Sequence, residues 1–110
     1  MNVSRYDIFY ADLNPTLDAE IKKIRPVVVI SKNDMNKYLE TVVVCPLTSQ
    51  IHPRWRSRIQ VLCAGKQSEI AVDQIRTLSK QRLKKKIGEL DRETAYTLRR
   101  LVSEMYGEPG

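Results

Sequence analysis

The chain has 110 residues, 42% of them hydrophobic, and its 19 Lys and Arg outnumber its 13 Asp and Glu to give a net charge of +6. That size supports one core and not two, the hydrophobic share excludes a disordered chain, and no apolar run nears the roughly 18 residues of a spanning helix. A pI near 9.5 favours polyanionic partners, nucleic acid first, over a membrane surface.

In chain order, Tyr6–Leu13 is apolar and aromatic and reads as a first strand, closed by the turn signal Asn14-Pro15. The stretch from Arg25 to Ser31 reads as a second strand, and its Val27-Val28-Val29-Ile30 run has the composition of a strand buried on both faces. Ser31-Lys32-Asn33-Asp34 can cap a short helix running to about Leu39. Thr41–Pro46 is a third strand expected to stop at its proline, Arg58–Cys63 a fourth and Glu69–Arg76 a fifth. In the fourth, Ile59, Val61 and Cys63 share one face, with Arg58, Gln60 and Leu62 on the other. Ser79 can cap a short turn through Leu83, and Lys84–Leu90 is ambiguous between helix end and strand, with Gly88 arguing for a break. Asp91 caps a final helix whose Ala95, Leu98, Leu101, Val102 and Met105 recur at helical spacing, until Gly107 and Pro109 end it. The expectation is one mainly β (α+β) domain over residues 1–110, a small, strongly curved β-sheet or barrel with short helices and a C-terminal α-helix.

Chemistry concentrates in three loops. In the first, Glu20, Lys22 and Lys23 precede Arg25, which Pro26 holds in an extended conformation at a strand entrance. A guanidinium there can meet a phosphate, or simply pair with Glu20 at the rim. The second, T-S-Q-I-H-P-R-W-R-S (Thr48–Ser57), joins Gln50, Arg54, Trp55, Arg56 and, just beyond, Arg58; cations beside an aromatic ring are how single-stranded nucleic acid is held. Trp55 can equally be an anchor for its own loop. Thr48 is a turn residue or a hydrogen-bond donor to phosphate, and His52, the single histidine, reads as a loop residue beside Pro53. The third holds Asp73, Gln74 and Arg76, where Asp73 and Arg76 can form a plain salt bridge. Cys45 and Cys63 have no C-x-x-C spacing and read as reduced core thiols. No metal-ligand spacing, phosphate loop or nucleophile elbow is present, so no cofactor or metal is expected. The N-terminus lacks the apolar stretch of a secretory signal, so the expected compartment is the cytoplasm.

Taken together, D-I-F-Y-A-D-L-N-P (Asp7–Pro15), E-I-K-K-I-R-P-V-V-V-I-S (Glu20–Ser31), V-V-V-C-P-L-T (Val42–Thr48) and D-Q-I-R-T-L-S-K-Q-R-L (Asp73–Leu83) resemble the MazF/PemK-type toxins of bacterial toxin–antitoxin modules. The resemblance implies an SH3-like barrel with a terminal helix, a homodimer, and metal-independent endoribonuclease cleavage of single-stranded mRNA, which inhibits growth. It implies Arg25 and Thr48 as the catalytic core, with Glu20 nearby and Asp73 at an acidic position given an acid–base role in some members. The RNA groove would be lined by Lys22, Lys23, Gln50, Arg54, Trp55, Arg56, Arg58, Gln74 and Arg76. A cognate antitoxin would lay an extended C-terminal segment over that groove.

The chain departs from the family in several places. The family often has glycine where Tyr6 stands, and Gln and Gly-Gly where Ile21, Lys22 and Lys23 stand. Ala19 and Ala71 occupy positions that hold His and Arg in some members, so a His/Arg scheme is not carried over. Two other functions are weighed against cleavage: a non-catalytic SH3-like nucleic-acid-binding module, and a CcdB-like toxin that binds a topoisomerase. The second acts through a C-terminal tryptophan tail, which Met105–Gly110 lacks.

Overall fold

The computed structural model describes residues 1–13 and 24–108. Its strands are β1 (Asp7–Asp12), β2 (Ile24–Val29), β3 (Thr41–Thr48), β4 (Arg58–Cys63), β5 (Lys66–Ala71), β6 (Arg76–Ser79) and β7 (Leu83–Glu89), with helices α1 (Asn33–Tyr38) and α2 (Arg92–Tyr106). The sheet runs β4-β5-β3-β2-β1-β7, with β6 paired to β3. It curls into a half-barrel closed by α2.

The expected double burial of β2 holds. Val28 and Ile30 enter one cluster with Ile8, Cys45, Leu47, Ile70 and Leu98 of α2. Val27 and Val29 enter the other, with Phe9, Ala11, Val42, Val44, Leu78 and Leu83. Period-2 alternation thus serves two cores at once. At the end of β2 the Ser31 hydroxyl meets Asn36 of α1, whose amide returns a bond to the Ser31 carbonyl at 2.8 Å. The Val43 N–H also donates to that hydroxyl at 3.1 Å. Ser31 therefore ties two elements together and does not cap α1, where Lys32 is the N-cap and makes no side-chain bond.

Three strand boundaries differ from expectation, each for a local reason. β3 passes through Pro46, because the strand changes partner there: Pro46 is paired with Val27 of β2, and Leu47 with Ile70 of β5. The missing N–H falls at a junction and not within a continuous ladder. The expected fifth strand is two, β5 and β6, separated by a 3-10 turn at Val72–Gln74. β5 starts early because Ala64 and Gly65, both at positive φ (50° and 79°), make the tight β4–β5 hairpin. Gly88 lies inside β7 opposite Ile8, where the pairing register shifts, so it marks a bulge and not an end. Asp91 and Ser79 do cap as read: their side chains accept from the N–H of Thr94 and Gln81.

Tyr6 has φ of 74°. Its N–H reaches the Val29 carbonyl and its carbonyl accepts from Leu90 at 2.9 Å. The chain must turn through left-handed space here to join β2 and β7, and a tyrosine does so against its steric preference.

Candidate active-site cleft

A cleft of about 830 Å³ opens where β3 crosses from β2 to β5. Antiparallel pairing of β2 and β3 runs Val28↔Cys45 and Val27↔Pro46. Arg25 and Thr48 lie two residues beyond the last of these pairs, where β3 has turned to β5, and both line the cleft. Arg25 is exposed. The Thr48 hydroxyl accepts from the Gln50 N–H at 3.1 Å, a local turn that leaves the hydroxyl proton to donate elsewhere.

Another part of the cleft lining is built by two consecutive turns. The Trp55 N–H bonds the His52 carbonyl at 3.0 Å, with Pro53 and Arg54 at the corner, and the Arg58 N–H bonds the Trp55 carbonyl at 3.3 Å. Such turns bring residues i and i+3 together, and proline suits the first corner position. The first turn stacks the His52 and Trp55 rings at 3.9 Å between centroids and 9° between planes. The second places the Arg58 guanidinium 4.6 Å from the Trp55 ring centre.

Beneath this wall lies Glu69, buried on β5 with 0% of its side chain exposed. Its carboxylate accepts from Arg58 Nη1 at 2.9 Å, Gln60 Nε2 at 2.6 Å and the His52 N–H. Burial pushes the Glu69 pKa up, but the bonds from Gln60, His52 and Arg58 outweigh it and hold the carboxyl below its ordinary value. Arg58 Nε also donates to Asp73 Oδ1 at 2.8 Å and Nη2 to Oδ2 at 3.4 Å. Burial raises the Asp73 pKa as well, and the bonds from Arg58 and Ser57 lower it below the carboxylate range.

The cleft therefore gathers Arg25, Thr48, Gln50, Trp55, Arg58, Asp73, Gln74 and Arg76. Arg54 sits at a turn corner and does not line it, and Arg56 lines a separate cleft of about 350 Å³ beside Tyr96 and Arg100 of α2. Glu20, Lys22 and Lys23 lie outside the described residues. Arg58, read from the sequence as a cation for RNA, has a side chain only 4% exposed and spends its donors on Glu69 and Asp73. Asp73 pairs with it, and not with Arg76. The sequence reading passed over Glu69 and Gln60 and set His52 aside. The signal for Glu69 was a carboxylate leading straight into the apolar Ile70-Ala71-Val72, the costliest kind of residue to bury unpaired. Among the described residues no group of His, Cys, Asp or Glu is placed to hold a metal ion, and no helix is long and apolar enough to cross a membrane.

Residues 4–106 match the family described as PemK-like, MazF-like toxin of type II toxin-antitoxin system. The chain is 36% identical over 98 residues to Endoribonuclease EndoA of Bacillus subtilis (strain 168), covering 84% of each. Its fold is similar to the Mycobacterium tuberculosis toxin MazF-mt6, with a TM-score of 0.79 at 20% identity over 94% of this chain and 99% of that one. It is similar also to the MazE–MazF structure (Form-II) from Deinococcus radiodurans, with a TM-score of 0.83 at 17% identity over 99% of each chain. A third likeness is to an endoribonuclease in complex with its cognate antitoxin from a mycobacterial species, with a TM-score of 0.82 at 20% identity over 98% of each chain. The chain belongs to the PemK-like, MazF-like toxins of type II toxin–antitoxin systems.

Proposed function

We propose that this toxin is an endoribonuclease that cuts single-stranded mRNA, leaving a 2′,3′-cyclic phosphate and a 5′-OH. The observation that supports the reading is that Arg25, Thr48 and the stacked His52 and Trp55 all line one cleft. The ribose 2′-OH attacks the adjacent phosphorus in line as it gives up its proton, charge builds on the non-bridging oxygens, and the bond to the 5′-oxygen breaks as that oxygen takes a proton and leaves as the 5′-OH. Arg25 meets two of them with its planar fork, and the Thr48 hydroxyl donates to the phosphate while its oxygen is held by Gln50. Gln74 and Arg76 on the same cleft extend the track for the strand, and Arg54, Arg56, Lys22 and Lys23 add to the positive charge that draws it in. Arg58 and Asp73 serve as the brace behind the stack. A carboxylate held ionised, with both oxygens already accepting from Arg58, is weakly basic, which leaves Glu20 as the better candidate for the proton acceptor.

The acting species is a homodimer in the cytoplasm, and an acidic segment of a cognate antitoxin covers the cleft. The mycobacterial relative in complex with its cognate antitoxin supports that partnership.

The test is single-stranded RNA incubated with the purified protein in EDTA, beside the same RNA carrying 2′-deoxyribose at the cleaved nucleotide. Cleavage of the first alone, with cyclic phosphate ends, is expected. Cleavage of the deoxy substrate would remove the 2′-OH from the reaction, and binding without any cleavage would make the protein a non-catalytic nucleic-acid module.

A further inference from the structure

The His52–Trp55 part of the cleft is held together through one side chain. Glu69 lies on β5, directly across the pairing from Thr48. Its three donors come from two different parts of the chain: the His52 backbone belongs to the loop, and Arg58 and Gln60 to β4. Arg58 then covers the Trp55 ring, Trp55 stacks on His52, and the His52 backbone returns to Glu69. The contacts form a closed circuit with Glu69 and Arg58 as its members anchored in the sheet. A fully buried carboxylate is costly unless every lone pair is used, so such a circuit holds a defined geometry better than an apolar residue would.

We propose that Glu69 is a positioning residue that holds the His52–Trp55 stack as a flat platform for one base of the RNA strand, a role that rests on the reading of this cleft as an RNA site. Trp55 is 48% exposed, and since Arg58 and His52 both lie on its ring, a base meets the stack at its outer end, in the cleft that His52 and Trp55 line together with Arg25 and Thr48. A base joined to the phosphate at Arg25 and Thr48 lies within reach of the platform. Base–aromatic stacking is worth about ten- to hundred-fold in affinity and is lost when the ring is free to tilt. Glu69 touches no substrate; it acts through the backbone of His52 and the guanidinium of Arg58.

Trp55 is the only tryptophan in the chain, so its fluorescence reports the platform without RNA. Glu69→Gln keeps the shape of the side chain and turns one of its oxygens into a donor facing donors. In this variant, still folded by far-UV circular dichroism, acrylamide quenching of Trp55 is expected to rise about twofold. Affinity for single-stranded RNA blocked by 2′-deoxyribose at the cleaved nucleotide is expected to fall about tenfold, with the kinetic loss in KM more than in kcat. In a Trp55→Ala background the same substitution is expected to cost less than about twofold, because the platform is already gone. Gln60→Ala, at an exposed strand position, removes one donor of three and gives a smaller change in the same direction, which serves if Glu69→Gln does not fold. Unchanged quenching in both variants overturns the proposal, as does a loss of RNA affinity that persists in full without Trp55. A wild-type protein that binds no RNA, in which Glu69→Gln still loosens Trp55, overturns the RNA role and traces the failure to the functional reading.

Discussion

Arg25 and Thr48 stand on a ridge between two clefts, lining both the larger one of about 830 Å³ and a smaller one of about 410 Å³ behind it. The ridge exists because β2 and β3 pair in register up to the point where β3 leaves for β5. A phosphate proposed to sit there would have cleft surface on either side for its flanking nucleotides.

Arg25→Ala is expected to lower kcat by about 10³-fold, the size of losing one transition-state charge stabiliser. Arg25 is exposed, so the thermal midpoint should stay within a degree or two. Arg25→Lys is expected to recover little, since a point charge cannot replace a two-pronged contact. Wild-type cleavage by purified Arg25→Ala would remove this residue from the mechanism.

The brace is expected to be acid-labile. Glu69 and Asp73 both have folded pKa values below their ordinary ones. Their contribution to stability is therefore complete above the unfolded values near about 4 and lost as pH falls through the lower, folded values. Urea midpoints measured from pH 6 down to pH 3 should drop less steeply in Asp73→Asn than in wild type. Parallel profiles would show that the pair adds nothing.

Tyr6 is expected to reverse the usual ranking of glycine and alanine. At a φ of 74° the left-handed conformation costs a side chain about 1–2 kcal/mol. Tyr6→Ala keeps that cost and loses the ring, whereas Tyr6→Gly loses only the ring. Tyr6→Gly should melt about 4–8 °C above Tyr6→Ala for each kcal/mol recovered. A lower midpoint for glycine would place the strain elsewhere.

Cys45 is expected to resist alkylation in the folded protein. Burial, helped by the charge of Asp73, pushes its thiol up to about 12, and burial raises Cys63 too. The reactive thiolate is therefore scarce at pH 8 and becomes available on unfolding. Iodoacetamide labelling followed by mass spectrometry should give two slow sites in buffer and two fast ones in urea. Rapid native labelling of Cys45 would contradict the packing.

The protein is expected to run as a dimer of about twice 12.7 kDa by light scattering. β4 is an edge strand carrying Leu62 at 76% exposure, and Tyr96 of α2 is 50% exposed. Two-fold pairing is a common way to cover such features. A saturating acidic antitoxin should suppress RNA cleavage, and added salt should relieve that only in part, because apolar burial is not screened. A monomer at micromolar concentration, or cleavage undiminished by antitoxin, would contradict this arrangement.

Most of the strands could be read because their signals are local. β4 was bounded correctly from Arg58 to Cys63, and the Asp91 cap of α2 follows from a carboxylate just ahead of a helical repeat. The misreadings arose where distant partners decide. Pro46 ends a strand by its own chemistry and does not end this one, because β5 takes over the pairing. The division of the fifth strand depends on β3 accepting β5 at one end and β6 at the other. Arg25, Thr48 and Trp55, which line one cleft, stand out in the sequence by residue type, and the family resemblance singles out Arg25 and Thr48 among them. The circuit through Glu69 does not, since its members come together only when β4 pairs with β5.

Because β2 fills a core on each side with near-identical valines, its own side chains distinguish poorly between one alignment and the next. A slip by a single residue would exchange the two sets and leave both interiors apolar. What fixes the alignment is the clasp at its end, where Ser31 is fastened to Asn36 and Val43. Val27, Val28 and Val29 should thus accept exchange among branched aliphatics, while Ser31 and Asn36 should tolerate little. In this sheet, robustness to sequence drift belongs to the middle of the strand, and fidelity of assembly to its last hydroxyl.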